Sequence, residues 1–383
     1  MNLIKINNVD CFPGRNFKIQ TFTDTDTNDC IKQLISMNIN VFIVSNNTVY
    51  YRNNTIKDCV MNIIKKDNCD MYIYTDYKYY FNTKERLEIY TKGIQDITYI
   101  NNEKKNLFNK NMIIEGIESN TLRELDLKFY KKILSYIKDY DSFSFYMNIY
   151  DIDWGCLFPT FTKCRPKNDI KKSILLPLED LYIPNYHINI LKDDIPFQTK
   201  IKSCIWRGSD SGPFYYDSKP DKFGIKRSSR KDLLVKYFDK YNIGLSSNQY
   251  KKNYHNFESK KYVKGPLSIK EHLKYMFIIS VEGNDFATNL NWILLSNSVP
   301  LLAEPYIETW SLESKLVPFI HYVPLNTDFS DLDEKIEWCI NNLEKCEDIV
   351  YNSKLFALQF FDIDKEYKLI NSVINIYKNN III

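Results

Sequence analysis

Glycine is scarce in this chain, with 10 in 383 residues, so each one left is expected where the backbone needs a residue without a Cβ. Other shortages exclude whole classes. No apolar run approaches the ~20 residues of a membrane span, and Met1-Asn2-Leu3-Ile4-Lys5 opens no stretch of leader length. The nine cysteines include no Cys-x-x-Cys pair, which argues for reduced thiols and against a zinc site or a disulfide framework. Charge of one sign is also lacking: 51 basic against 48 acidic residues leave +3. That balance argues against nucleic acid or an anionic membrane as main partner. No repeat of solenoid length appears. The expectation is a soluble, intracellular, cytoplasmic protein long enough for two domains.

What crowds the sequence instead is Ile, Asn, Lys and Tyr, the residues of A/T-rich codons, a bias of the genome and not of the fold. The densest basic stretch, Lys219 to Lys240, reads as a solvated helix face with its preceding loop, from which a single arginine could reach a ligand phosphate.

The stretch from Ser280 to Ser296 organises the rest. It follows Tyr275-Met276-Phe277-Ile278-Ile279, short and β-branched enough for a buried strand. Gly283 breaks the run, Asn284 and Asp285 suit the cap before a helix, and a helix is expected from Ala287 to Ser296. A strand, a glycine turn and a helix N-terminus make a socket for an anion, though most such turns in α/β proteins hold nothing.

Elsewhere, Asn40 to Tyr51 reads as a hairpin with an asparagine turn, and Asp70 to Phe81 as a strand pair or a strand with an aromatic edge. Asp24 and Asp26 have the Asp-x-Asp spacing of some metal-binding loops, but in a Thr-rich segment they read as a turn. Thr121 with Glu124 spells a capping box for a helix ending near Asp139. A strand over Phe143–Ile149 then runs into Asp151 and Asp153, carboxylates placed where the loop after a strand opens into a crevice. They fit a solvated loop, a metal-binding pair, or a general base with a neighbour. Residues 169–199 have little helical period and are expected to cross between domains. Lys202 to Trp206 reads as a strand that delivers Arg207 and Gly208, and Ser228 or Ser229 as the cap of a helix opening at Arg230. Ser330 should cap a helix whose stripe is Leu332, Ile336, Ile340 and Leu343, and Tyr367–Tyr377 is a last amphipathic helix. Strand and helix alternate through 202–345, which predicts a mostly parallel, Rossmann-like sheet.

Trp206-Arg207-Gly208, Arg230 opening a helix, Glu282-Gly283-Asn284-Asp285, Ala287-Thr288-Asn289-Leu290, Ser296-Asn297-Ser298-Val299, Glu308-Thr309-Trp310, His321 to Leu325 and Asp328 to Leu332 stand in that order and spacing. Together they resemble glycosyltransferase family 90 over about residues 140–365, in a form similar to its bacterial lipopolysaccharide-modifying branch. The resemblance implies an α/β GT-B architecture: a 1–195 acceptor-side domain with a poorly matched extension to about 110, a 196–362 domain binding a UDP-sugar, and a 363–383 helix crossing back. It implies an inverting transfer of a glucose or xylose-type sugar to a hydroxyl of a glycan or protein, with no required cofactor or metal. Asp151 matches the segment that ends in the family's general base, with Asp153 as the alternative. Arg207 with Gly208, and Arg230, would meet the diphosphate. Glu282, Gly283, Asn284, Asp285, Ala287, Thr288 and Asn289 would wrap the nucleotide. Animal members carry an arginine where Asn289 stands, so phosphate charge here would be met by Lys274 or by the helix dipole. The codon bias suits an A/T-rich microbe or a host cell infected by a large DNA virus. Two other readings are a metal-dependent GT-A transferase, using Asp24/Asp26 or Asp151/Asp153, and a non-catalytic nucleotide-sugar or glycan binder. Glu304 and Glu308 could meet sugar hydroxyls, but a structural role suits each better.

Overall fold

The computed structural model describes residues 2–11, 18–21, 32, 34–37, 39–45, 48–51, 56–92, 94, 99–100, 107–138, 140, 143–149, 158–167, 172–211, 227–247 and 258–382. Asp24, Asp26, Asp151 and Asp153 lie outside these residues. The chain is α/β.

The first sheet holds β1 (Asn2–Asp10), β2 (Lys18–Thr21), β3 (Val41–Ser45), β4 (Thr48–Tyr51) and β5 (Ile64–Thr75) in the order β1-β5-β3-β4-β2, with every neighbour antiparallel. The expected hairpin is β3–β4, with Ser45 opposite Thr48. Side chains alternate across the sheet as a pleat requires. Ile4, Ile73 and Val41 sit in one cross-strand row, Ile6, Met71 and Ile43 in the next, and all six enter the main core. Phe42 and Val49 face the other way, onto Leu34 and Ile39. The strand expected over 70–81 is longer and earlier. β5 runs through the polar Lys65–Asp70 stretch because Asp70 takes a hydrogen bond from Asn7 at 2.9 Å and pairs with Lys5 at 3.4 Å.

The second sheet orders β6 (Leu107–Asn109), β7 (Ser144–Asn148), β8 (Thr160–Thr162) and β9 (Ser173–Leu175) as β9-β8-β7-β6, parallel except for β6–β7. The helix before β7 starts at Leu127, not at Thr121. The Thr121 hydroxyl turns back to the Gly116 carbonyl at 3.4 Å, closing the preceding helix, and Glu124–Asp126 forms a 3₁₀ turn instead of a capping box.

The third sheet is wholly parallel: β10 (Ile201–Gly208), β11 (Asn242–Leu245), β12 (Tyr275–Ile279), β13 (Val299–Leu302) and β14 (Val323–Pro324), ordered β11-β10-β12-β13-β14. Both faces are covered, as parallel sheets require. Cys204, Phe277 and Leu301 pack on one side, and Ile205, Ile278 and Ile293 on the other. Counted along the chain this is the doubly wound order 2-1-3-4-5, whose crevice opens between the first and third strands. Those strands are β10 and β12.

Helix Leu332–Asn341 departs from its expected stripe. Cys339 is buried and Ile340 is 39% exposed, so the buried stripe continues from Ile336 by a step of three residues and not four. Asp331, not Ser330, occupies its N-cap position.

The last helix, Ile363–Asn380, is fastened to helix Thr83–Tyr90 by a buried ion pair. Arg86 donates to the two Glu366 oxygens at 2.5 and 2.7 Å and to the Tyr90 hydroxyl at 3.0 Å. Tyr90 donates to the Trp310 carbonyl at 2.7 Å and stacks on the indole at 3.9 Å, while the Trp310 N–H donates to Glu366 at 2.6 Å. Nearby, His321 Nδ1 accepts the Val317 N–H, which leaves the proton on Nε2 to face Tyr77 at 2.7 Å. Tyr77 then donates to the Asn352 carbonyl at 3.0 Å. Burial pushes the imidazole down to about 3.

Arg86→Met or Glu366→Gln should each lower the unfolding free energy by about 3–5 kcal/mol, because a buried charge loses its partner. Urea titrations showing less than about 1 kcal/mol would mean the pair is dispensable. His321 is neutral when folded and protonates more readily when unfolded, so stability is full above about pH 6.5 and falls as pH drops toward 3. Between pH 7 and pH 5 this group contributes a loss of about 2 kcal/mol, read as a urea-midpoint slope that His321→Gln removes.

Candidate active site

The crevice at the carboxyl ends of β10 and β12 is a cavity of about 320 Å³. β10 brings Trp206 and Gly208, followed by Ser209 and Ser211, while β12 leads into the turn from Val281 to Asn289. Arg230 closes the third side. Ser229 caps its helix by accepting the Asp232 N–H at 3.2 Å, which fixes where the guanidinium leaves the helix. Arg230 donates to the Ser209 carbonyl and the Ser211 hydroxyl, both at 2.9 Å, and to the Val281 carbonyl at 3.1 Å. Its guanidinium also sits 5.8 Å from the Trp206 ring.

Two of the scarce glycines are explained here by close approach. A Cβ on Gly283 would stand 3.0 Å from Arg230 Nη2. One on Gly208 would stand 2.4 Å from a carbon of the Trp206 ring, which lies across the strand's exit.

Arg227 braces the turn from its other side. It donates to the Gly283 carbonyl at 2.8 Å and lies 3.7 Å from Glu282. Glu282 in turn accepts the N–H groups of Tyr306 and Ile307 at 3.0 and 2.9 Å, and burial raises its pKa against the pull of Arg227 and those two donors. Asp285 pairs at 2.8 Å with Lys163, which follows β8, so the second sheet also holds the turn. Asn289 accepts from the Ser280 hydroxyl at 2.9 Å and donates to the Ile279 carbonyl at 3.2 Å. Asn284 and Thr288 face solvent, whereas Ala287 is buried. Phe286 and Ala287 also line a second hollow of about 350 Å³, with Arg227, Glu282, Glu304 and Tyr306 on its far walls. There Glu313, holding the Thr309 N–H and hydroxyl at 2.7 and 2.6 Å, is pushed up to about 7 by burial.

Among the described residues, no three His, Cys, Asp or Glu side chains are placed to share a metal ion. What the crevice offers is positive charge from the buried Arg230, with Arg227 on the far side of the same turn, where it lines the second hollow. That arrangement suits an anion such as a phosphate.

A family model described as glycosyl transferase family 90 matches residues 183–381, more than half of the chain. The chain belongs to glycosyltransferase family 90. It is 31% identical over 208 residues to O-glucosyltransferase LpsA of Dichelobacter nodosus, covering 53% of this chain and 56% of that protein. It is 29% identical over 194 residues to the uncharacterized protein 179R of Invertebrate iridescent virus 6, covering 43% and 15%. Protein O-glucosyltransferase 2 of Danio rerio is 31% identical over 165 residues, covering 42% and 29%. The matches thus span about half the length of the bacterial relative and less than a third of the other two. The bacterial match is consistent with the lipopolysaccharide-type branch.

In this crevice the structure brings together Gly208, Arg230 and the Gly283–Asn289 turn, whereas Glu282 lines the neighbouring hollow. Arg207 lines the same cavity, but its guanidinium turns to backbone: the Asn242 carbonyl at 2.8 Å, the Trp206 carbonyl at 2.9 Å and the Gly265 carbonyl at 3.2 Å, with the Asn242 side chain at 2.7 Å. Lys274 is exposed and precedes β12, at the opposite end of the strand from the turn. The helix expected from Ala287 runs only from Leu290 to Leu295, with Asn289 at its N-cap and Asp285 engaged by Lys163 instead. Glu308 is structural: it pairs with buried Arg165 at 2.7 Å, joining Cys164–Pro166 to Ile307–Thr309. Glu304 is exposed and pairs with Lys167. The aspartates 151 and 153 follow β7 outside the described residues.

Sequence reasoning passed over Arg227 and Lys163. Arg227 was absorbed into the solvated basic stretch, although its place before the Ser229 cap puts it off the helix face. Nothing local marks Lys163.

Gly208→Ala should cost about 1–3 kcal/mol, since the methyl group meets a buried indole that has to move. Unchanged urea stability would show that Trp206 yields freely.

Proposed function

We propose that the chain is an inverting glycosyltransferase that moves a glucose or xylose-type sugar from a UDP-sugar to a hydroxyl of a glycan or protein. One observation carries the reading: the family's glycine turn meets Arg230 at the strand-switch crevice of a doubly wound sheet. The names of the bacterial and fish relatives, both O-glucosyltransferases, support glucose as the first sugar to test.

In this reading the third sheet is the donor half of a GT-B enzyme and the part before residue 196 is its acceptor half. The diphosphate lies against Arg230 and the turn. Arg227 supplies the charge that an arginine at position 289 gives the animal members, because Asn289 is tied to Ser280 and Ile279. Fixed cations stabilise the charge that grows on the departing UDP without reorganising as it grows. The acceptor hydroxyl is a poor nucleophile at neutral pH, and Asp151, following β7, takes its proton as it attacks the anomeric carbon. Asp153 is the alternative base. No metal is assigned a role in these steps.

Calorimetry against UDP and a transfer assay with a panel of UDP-sugars test the proposal. Asp151→Asn should reduce transfer by about 10²–10⁴-fold and leave UDP affinity unchanged. Arg230→Met and Arg227→Met should each weaken UDP binding by about tenfold or more. Wild-type transfer in the Asn variant removes Asp151 as base, and unchanged UDP affinity in both arginine variants removes the diphosphate from this crevice.

A further inference from the structure

A second cavity, of about 430 Å³, shares no lining residue with the crevice and lies where three distant segments meet. Met61 and Ile63 come from just before β5, Leu191 to Phe197 from the segment leading into β10, and Lys354 from helix Leu343–Leu358. Its lining holds the buried Lys354 ammonium and the Asp194 carboxylate, with Lys57, Asp58 and Glu347 also on the walls, and Lys200 pairs with Asp194 from outside the lining. Lys200 donates to Asp194 at 2.5 Å and to the Leu273 carbonyl at 2.5 Å. The same carboxylate accepts the N–H groups of Ile195 at 2.8 Å and Asn297 at 2.5 Å. Asp194 is therefore committed to Lys200 and the backbone.

Lys354 is 1% exposed, and its ammonium donates to Asn297 Oδ1 at 2.5 Å. Among the described residues no carboxylate lies within ion-pair distance of it. An ammonium has three N–H donors and carries its full charge into the interior, where an unbalanced cation is costly. Burial pushes Lys354 down to about 8 against the opposing pull of Asp194, with a smaller push from Lys200. Lys57 is paired with Asp348 at 2.6 Å, and Glu347 accepts from the neutral Gln198 amide. The apolar part of the walls comes from Met61, Ile63, Leu191, Pro196 and Phe197. A cation in a partly apolar pocket matches an anionic head on a small organic body.

We propose that this cavity is a second ligand site, taking a small molecule that carries an oxyanion group, with Lys354 as the side chain that recognises it. The ligand would touch all three segments, and so would clamp the part before β5 to the helix that packs under the third sheet.

The test is thermal unfolding of the full chain titrated separately with inorganic phosphate and with acetate, at ionic strength held constant with chloride. A saturable rise in Tm with phosphate or with acetate is expected, and whichever anion gives it identifies the head group. Lys354→Met should weaken the responding anion at least about tenfold. It should fold at least as well without anion, since an apolar side chain replaces an unbalanced buried cation. Met61→Trp fills the cavity without touching either the lysine or the glycine turn, and should abolish the response. Phosphate held at the turn would survive both substitutions. No saturable response to either anion, or a response retained in either variant, overturns the proposal.

Discussion

The Arg86–Glu366 pair is the constraint on which the arrangement of the chain's two ends depends. Two fully committed charges lie inside the protein, and each is tolerable only while the other stays in place. The helix carrying Arg86, the loop carrying Trp310 and the last helix must therefore arrive together, and the stacked Tyr90–Trp310 pair fills the space they enclose. Several residues that mark the family in sequence do this kind of work. Glu308 holds Arg165, Trp310 holds Glu366, and His321 holds Tyr77.

The crevice is built on the same principle at smaller scale. Its turn has little regular structure of its own, since the helix after it has six residues. Its shape comes from outside, through Arg230 on Val281, Arg227 on Gly283 and Lys163 on Asp285. Such bracing orders the turn before any ligand arrives, which lowers the ordering cost of binding.

Much of the third sheet was legible in the sequence because β-branched runs alternate with helical stripes, and glycine was rare enough for Gly208 and Gly283 to stand out. The asparagine-turn hairpin was legible for the same periodic reason. Errors came where a competing contact, local or distant, outbid the expected signal. Thr121 satisfies the end of the helix before it, and Asp70 is held inside β5 by a partner strand. The direction taken by Arg207 was not legible either, because a strand-end arginine can turn along the sheet as readily as into the crevice. Lys163 and Arg227 became visible only when distant segments were set side by side.

The first sheet and the last helices enclose one core: Ile4, Ile6, Met71 and Ile73 share it with Trp310, Phe356 and Val373. The family match begins at residue 183, well after that sheet has ended. The segment recognised by descent is therefore not the segment that folds. A piece cut at the family boundary would leave Glu366 without its guanidinium and a broad apolar face open to water, so the unit of inheritance and the unit of stability differ in this protein.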